Sequence, residues 1–339
     1  MTAGGTSTTG GALANGGTSS MGGASSMGGT LGSGGSTGAG GATSSGGSNA
    51  SGGATASGGA GSGAGGAPTG SGGSSGTGYP YVFSVFNDAA AVSSLQIYTS
   101  NDGLNFTLLA DTGFTGPTTN LRDPSIMKHT DGKFYVAFTT PPAGNGCCGP
   151  ESSFSIASSS NLKNWTTVAT VPSGVSGVTN VWAPEWFKDS DGSLHILVSI
   201  DKKTYRYEPT DATLTKFGAG TFIGIGPDFI DTIIVKLGAT YHAFPKREST
   251  TYIEHATATN IDGPWTFVGT GNWAGWGNHK EAPSLIQLAN GTWRMFCDAG
   301  STGHEMYSDS TDLFKSWSAM KGLPTVGNNI SHGTVIKGN

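Results

Sequence analysis

A strand-opening segment recurs along the chain and constrains its fold more than any other feature. At its first occurrence the pair Asp123-Pro124 precedes an apolar run that turns at Asp131-Gly132 and returns as a second apolar run. Two apolar runs joined by an Asp-Gly turn predict a β-hairpin. The same layout returns with openings at Trp182, Ile230 and Glu281 and with turns at Asp191-Gly192, Leu237-Gly238 and Asn290-Gly291.

The spacing of these openings is typical of β-propeller blades. The openings at 122, 182, 230 and 281 differ by 60, 48 and 51 residues. In three of the units a third strand and a fourth strand that opens on tryptophan follow the hairpin, at Trp165, Trp265 and Trp317. About 40–50 residues with four strands per unit is the range of propeller repeats.

Both ends of the domain supply strands for a fifth unit. The segments Leu95–Ser100 and Asp102–Phe106 fit its third and fourth strands, and Ser331–Ile336 fits its first strand. Closing a ring with strands from both termini removes the free edges that an open sheet would expose. No stretch shows helical periodicity. The sequence therefore predicts an all-β, five-bladed β-propeller over residues 79–339.

The N-terminal part of the chain differs in composition from the rest. Residues 1–78 contain no Asp, Glu, Lys or Arg and consist mainly of Gly, Ser, Thr and Ala. Such a tract cannot bury enough apolar surface to offset the entropy lost on ordering. We therefore predict a disordered linker over residues 1–78 that acts as a flexible tether. A long neutral tether before an enzyme-sized domain favours a secreted, extracellular protein.

Charge and hydropathy argue against several classes of partner. The net charge is −5 and the basic residues are not clustered, which disfavours nucleic acid. No apolar run reaches the length of about 18 residues that spans a bilayer, so we expect no membrane-spanning helix. We expect a monomer.

The cysteines leave the redox state open. Cys147 and Cys148 are adjacent and lack the spacing of metal ligands. One of them could pair with Cys297, or the two neighbours could bridge each other. The predicted fold needs neither disulfide.

Several chemically active residues meet where the blades begin. The first strand of each propeller blade lines the central channel, so the residues that open these strands converge at one mouth of it. They are Arg122, Asp123, Trp182, Asp231, Glu281 and His332. For each of these residues taken alone, a role in capping or packing is an alternative to a role in catalysis or binding. Together, three carboxylates, an indole and an imidazole exceed what packing requires, because carboxylates are rarely buried without partners.

One detail of the alignment requires an irregular backbone. Glu281 aligns with Arg122, one residue before Asp123. Successive side chains of a strand face opposite ways. The strand openings therefore cannot all be regular strand at this point.

Further substrate-binding candidates flank the mouth. Phe229 precedes a mouth segment and could stack on a sugar ring, while Lys246 and Asp298 follow second strands and could line the rim. With Arg122, Trp182 and His332 they complete the predicted substrate-binding set. For Phe229, Lys246 and Asp298 a packing or surface role remains open.

The mouth segments resemble the successive motifs of glycoside hydrolase family 43. They occur in order as Arg122–Ile126, Trp182–Glu185, Ile230-Asp231, Glu281–Pro283 and His332–Val335. No single motif is specific, but five in order at blade spacing are, and the resemblance covers residues 79–339. Family 62 arabinofuranosidases share the fold and a similar Ser-His-Gly segment, so they are a near relative.

This resemblance implies an inverting hydrolase with three carboxyl groups in distinct roles. Asp123 would be the general base, Glu281 the general acid, and Asp231 the group that tunes and orients the acid. Inversion requires the acid and the base about 6.5–9.5 Å apart, with water between the base and the sugar. The glycine that usually follows the acid is Ala282 here. The mechanism needs no cofactor, although His332 could hold a structural Ca²⁺ in the channel.

The implied substrates are arabinose- or xylose-containing plant cell-wall polysaccharides, such as the hemicellulose xylan, or oligosaccharides derived from them. We expect an α-L-arabinofuranosidase. The alternatives within the fold are a β-xylosidase, an endo-arabinanase and an exo-galactanase. The alternative of another class is a lectin-like propeller that binds carbohydrate without cutting it.

Overall fold

The described part of the chain is an all-β structure. The computed structural model describes residues 78–87, 92–142, 149–300, 304–327 and 329–338, and no α-helix occurs among them. Accordingly, none of these residues belongs to a helix able to cross a membrane. The predicted linker, apart from Gly78, lies outside the described residues, and so do Cys147 and Cys148.

Five antiparallel sheets form five blades, as predicted. Blade 1 contains β4 (Arg122–Lys128), β5 (Phe134–Thr139), β6 (Ser153–Ser159) and β7 (Thr166–Pro172). Blade 2 contains β8 (Val181–Lys188), β9 (Leu194–Ile200), β10 (Lys203–Tyr207) and β11 (Thr221–Phe222). Blade 3 contains β12 (Phe229–Leu237), β13 (Thr240–Arg247), β15 (His255–Ala258) and β16 (Thr266–Gly269), with β14 (Tyr252–Ile253) paired to β13. Blade 4 contains β17 (Glu281–Gln287), β18 (Trp293–Asp298), β19 (Glu305–Ser310) and β20 (Lys321–Gly322).

Blade 5 joins the two ends of the domain. Its innermost strand is the C-terminal β21 (Ile330–Lys337), followed outward by β1 (Tyr81–Asn87), β2 (Leu95–Ser100) and β3 (Phe106–Asp111). The predicted closure by both termini is therefore confirmed. Strands β1 and β21 come so close that a Cβ added to Gly333 would lie 1.9 Å from the Ser84 carbonyl oxygen.

The inner strands contact one another in a closed ring. Strand β21 touches β4, β4 touches β8, β8 touches β12, β12 touches β17, and β17 touches β21. The predicted hairpins join each inner strand to the second strand of its blade. At the first of them Gly132 adopts φ 87°, a left-handed value that a side chain would strain.

Each interface between neighbouring blades has its own apolar core. Between blades 1 and 2, for example, Met127 and Phe154 pack with Val181 and Ile196. Between blades 3 and 4, Phe244 packs with Met295 and with Cys297, which is a buried free thiol. Aromatic and β-branched residues fill both faces of the sheets because every sheet is covered on two sides. This packing holds the inner strands in register around the channel.

Candidate active site

Every inner strand carries the same β-bulge at its opening. In blade 1, Arg122 pairs with Thr139, and pairing resumes only at Ser125 with Ala137. The extra residue, Asp123, adopts φ 52°. The equivalent left-handed residues in the other blades are Ala183, Asp231, Ala282 and His332, with φ of 47°, 52°, 54° and 43°. A bulge of this kind bends the strand and re-aims its side chains.

These bulges explain the offset that the sequence left unresolved. Glu281 occupies the position of Arg122 and Trp182, directly before the bulge residue, whereas Asp123 and Asp231 are themselves bulge residues. Because the backbone turns at the bulge, both positions face the channel mouth. The expectation that the openings are not regular strand is confirmed.

A cavity of about 330 Å³ occupies the channel mouth. It is lined by all but one of the predicted site residues, namely Arg122, Asp123, Trp182, Asp231, Lys246, Glu281, Asp298 and His332. Phe86, Thr139, Glu151, Ile230, Glu248, Gly300 and Ser331 complete the lining. Carboxyl groups outnumber the cationic side chains in this lining.

Phe229 is not part of the cavity, and its predicted role in binding sugar is corrected. Its ring stacks on Phe267 with centroids 4.9 Å apart and lies 4.3 Å from the Arg247 guanidinium carbon, within the core between blades 2 and 3. The next residue, Ile230, lines the cavity. Since neighbouring side chains of a strand point to opposite faces, Phe229 points into the core.

Asp123 is held from two sides. The Thr139 hydroxyl donates to its Oδ2 at 2.6 Å, and His332 Nδ1 lies 3.2 Å from its Oδ1. Thr139 Oγ1 also accepts the Ala183 N–H at 2.8 Å, so it ties blade 1 to blade 2. The carboxylate therefore has a fixed orientation at the cavity wall.

Glu281 shares a lysine with a second carboxylate. Lys246 Nζ lies 2.5 Å from Glu281 Oε2 and 3.0 Å from Glu248 Oε2. Burial lowers the pKa of Lys246, but the carboxylates of Asp231 and Glu281 outweigh burial and raise it above its usual value. Lys246 therefore carries a full positive charge beside Glu281.

Asp231 is a buried carboxyl group at the base of the cavity. Its N–H donates to Ser199 Oγ at 2.9 Å, and its Oδ2 accepts the Ala282 N–H at 3.3 Å. Burial raises the pKa of Asp231; the positive charges of His332 and Lys246 only partly offset this, and nearby carboxylates add to it. Asp231 thus fixes the backbone that carries Glu281.

Asp298 lies across the strand pair from Glu281. Its Oδ1 accepts the Gly300 N–H at 2.8 Å and its Oδ2 accepts the His332 N–H at 3.2 Å. Burial, followed by the negative charge of Glu281, raises the pKa of Asp298 to about 7. It links the acid strand of blade 4 to the closing strand of blade 5.

His332 is surrounded by carboxyl groups. Burial lowers its pKa, but the charges of Asp123, Asp231 and Asp298 outweigh burial and raise it above the usual value. Among the described residues no group of three or more His, Cys, Asp or Glu side chains is arranged to hold a metal ion. The calcium ion considered for His332 stays a prediction, and here the imidazole pairs with Asp123.

Sequence reasoning missed part of the lining. Thr139 occupies the same position at the end of a second strand as Lys246 and Asp298, so the repeat contained a signal for it. Ser199, which accepts the Asp231 N–H, occupies this position in blade 2. Glu151 lies just before β6 and has no counterpart in the repeat that would have indicated it.

A further carboxyl group, which is half-buried, lies in a second cavity of the channel. Glu185 Oε2 accepts the Thr334 hydroxyl at 2.7 Å. Burial raises its pKa to about 7, with the Thr334 and Ser125 hydroxyls offsetting part of that rise. Glu185 belongs to the segment that begins with Trp182, although no role was predicted for it.

The sequence matches a family model over most of its length. Residues 77–337 match the family 43-related model described as "Probable glycosyl hydrolase domain". The chain belongs to this glycoside hydrolase family. The match spans all five blades and both of the strands that close the ring.

Solved structures of family 43 share the fold of this glycoside hydrolase domain. The exo-β-1,3-galactanase 1,3Gal43A from Clostridium thermocellum aligns with a TM-score of 0.57 at 15% identity, over 75% of this chain and 62% of that one. A family 43 β-1,3-galactosidase aligns with a TM-score of 0.54 at 15% identity, over 68% and 53%. A point mutant of the family 43 protein BlXynB from Bacillus licheniformis aligns with a TM-score of 0.50 at 17% identity, over 70% and 52%.

These similarities extend to the fold alone. The chain spans between about half and two thirds of the length of these three proteins. No curated protein matches the sequence.

Proposed function

We propose that the domain is an inverting glycoside hydrolase that removes neutral sugar units from plant cell-wall polysaccharide. The observation that carries this proposal is that Asp123 of blade 1 and Glu281 of blade 4 line one cavity together with the buried Asp231. Carboxyl groups presented from separate blades suit an inverting pair, because the attacking water must fit between the base and the sugar.

Asp123 acts as the general base. Its two oxygens are oriented by Thr139 and His332, and an ionised carboxylate held in this way can take a proton from water without reorganising. His332, whose pKa is raised above its usual value, lies beside one oxygen of this base. The Thr139 hydroxyl directs its proton to the carboxylate, because its oxygen already accepts the Ala183 N–H.

Glu281 acts as the general acid. Lys246 contacts both Glu281 and Glu248, so its ammonium retains a carboxylate partner when Glu281 carries a proton. Asp231 holds the backbone at Ala282, which fixes the direction of the Glu281 side chain. Proton transfer to the leaving oxygen requires this alignment, since an acid must lie within hydrogen-bond reach of its target.

The cavity favours a neutral, single sugar unit. Its volume of about 330 Å³ is at the lower end of small-molecule sites. Its excess of carboxyl groups disfavours uronic acids, which would add another negative charge. We propose α-L-arabinofuranosides as substrates, attacked from the chain end. A β-1,3-galactan is the second candidate, because two of the structural neighbours are named as β-1,3-galactan- or β-1,3-galactoside-cleaving enzymes.

The test compares two carboxyl variants on two kinds of leaving group. Asp123→Asn and Glu281→Gln should each lower kcat/KM on arabinan by about 10²–10⁴-fold, the usual contribution of an acid or a base. On 4-nitrophenyl arabinofuranoside, Glu281→Gln should recover most of its activity because nitrophenolate leaves without protonation. Asp123→Asn should stay impaired on both. Equal losses for the two variants on both substrates would contradict the assignment.

The stereochemistry provides an independent test. NMR of the first sugar released should show the anomer opposite to that of the substrate. Release of the retained anomer would exclude the inverting mechanism. Binding of sugar with no hydrolysis of arabinosides, xylosides, galactosides, arabinan or galactan would favour the lectin-like alternative.

A further inference from the structure

Glu151 is a carboxyl group in the cavity that the proposed mechanism does not use. Its side chain is only 2% exposed, and it lines the cavity beside Trp182 and Asp123. It lies outside the five strand openings that supply the proposed acid and base. A carboxyl group so deeply buried needs hydrogen-bond partners, because burying a polar group without one costs free energy.

Among the residues that the structure describes, only one of its two oxygens has such a partner. Oε2 accepts the indole N–H of Trp182 at 2.8 Å. Oε1 is buried and finds no hydrogen-bond partner among the residues that the structure describes. Burial raises the pKa of Glu151, and the hydrogen bonds from Trp182 and from the backbone N–H groups of Glu151 and Gly149 offset only part of that rise. The site thus contains a buried acceptor that still lacks a donor.

The position of Trp182 indicates which kind of donor this acceptor would meet. Its indole lines the same cavity, and the hydrogen bond to Glu151 fixes the plane of the ring. A sugar that packs a C–H face on this ring brings its hydroxyl groups to the ring's edge, where Glu151 lies. The hydroxyl group is the donor that a neutral sugar offers to a carboxylate.

We propose that Glu151 determines specificity by accepting a hydrogen bond from one hydroxyl of the sugar bound beside Trp182. This role rests on the proposed function only because it requires that a sugar binds in the cavity. A site built around a buried acceptor discriminates strongly against an analogue that lacks the matching hydroxyl, because the acceptor is then left unpaired. Glu151 would therefore select among sugars that share a reactive centre and differ in one hydroxyl.

The experiment couples an enzyme change to a substrate change. The kcat/KM of wild type and Glu151→Gln are measured on 4-nitrophenyl arabinofuranoside and on its 2-, 3- and 5-deoxy analogues, with the corresponding galactosides if those are the better substrates. Glu151→Gln should lower kcat/KM on the parent by about 10- to 100-fold, the range for a hydrogen bond to a charged group. On one deoxy analogue the kcat/KM of the same variant should be less than about threefold below that of wild type.

Two further variants separate hydroxyl recognition from structural roles. Trp182→Phe removes the indole donor but leaves the carboxylate, so it should still discriminate against the same deoxy analogue. Glu254→Gln removes a carboxylate that is also 2% exposed but pairs with Arg247 away from the cavity. Glu254→Gln should change kcat/KM on the parent substrate and on all its deoxy analogues by the same factor. An equal loss for Glu151→Gln on every analogue would overturn the proposal, leaving Glu151 as a support for Trp182.

A binding measurement distinguishes this proposal from the proposed function. If no glycoside is hydrolysed, titration calorimetry of the wild-type protein with arabinose, galactose and xylose replaces the kinetic assay. In that case the affinity for the parent sugar should be lower in Glu151→Gln than in wild type, and the difference should be far smaller for one deoxy sugar. This result would support the role of Glu151 even though no hydrolysis occurs. Hydrolysis with no coupling would overturn the role of Glu151 alone. The absence of both hydrolysis and sugar binding would overturn both proposals.

Discussion

Thr139 offers the sharpest test of how the cavity is built. Its hydroxyl donates to Asp123 at 2.6 Å and accepts the Ala183 N–H at 2.8 Å, and the residue is buried. The first distance is in the range of hydrogen bonds from a hydroxyl to an ionised carboxylate. Replacing Thr139 with Val keeps the shape of the side chain and removes both interactions.

The two lost interactions set the expected magnitudes. A buried N–H without a partner costs about 1–3 kcal/mol, and a hydrogen bond to a charged group contributes about 1.5–3 kcal/mol. Because His332 still contacts Asp123, we expect Thr139→Val to lower the free energy of unfolding by about 2–4 kcal/mol. We expect kcat/KM to fall by about 10- to 100-fold, since the base loses one of its two orienting contacts.

Urea denaturation measures the stability change, and hydrolysis of a 4-nitrophenyl glycoside measures the activity change. Thr139→Ser is the matched control, because it keeps the hydroxyl and removes only a methyl group. It should stay within about threefold of wild type in kcat/KM. If the Ser variant lost as much as the Val variant, packing of the methyl group would explain the effect. If the Val variant matched wild type in both assays, the reasoning about Asp123 would be refuted.

Three further changes test the closure of the ring, the buried channel and the linker. Gly333→Ala would place a Cβ against the Ser84 carbonyl and should lower Tm by about 6–12 °C. Gly322→Ala is the control and should not lower Tm, because its Cβ meets nothing within 4 Å. Equal Tm values for the two variants would contradict this prediction. Glu185 has a pKa raised to about 7, so its neutral form stabilises the fold fully below about pH 4.5, and that contribution is lost as the pH rises through 7. Glu185→Gln should therefore gain stability relative to wild type by about 1.4 kcal/mol per pH unit between pH 4.5 and 7 in urea titrations, and a pH-independent difference would be evidence against it. Deleting residues 1–78 should leave kcat/KM within about twofold, because the predicted tether has no charged residue and no motif, and a tenfold loss would contradict this prediction.

The architecture could be predicted from the sequence because it depends on local patterns that repeat. Apolar alternation and turns such as Asp131-Gly132 each specify a hairpin from neighbouring residues. Their recurrence at blade spacing determines the number of blades, and the matching strand at Ser331–Ile336 indicates the closure. The same repeat places Asp123, Asp231 and Glu281 within one residue of the same point in their strand openings, so their meeting in one cavity was also predictable.

The tertiary structure decided which atoms of the site touch. The bulges bring Glu281 and Asp123 to the same cavity although they occupy different positions in the repeat, and Phe229, just before a bulge segment, packs into the core. Thr139 reaches Ala183, and Glu151 reaches Trp182, across the boundary between blades 1 and 2. Such contacts join residues that no local pattern connects. They depend on the twist and registration of neighbouring blades, which arise only when the apolar cores between the blades are packed and the ring is closed.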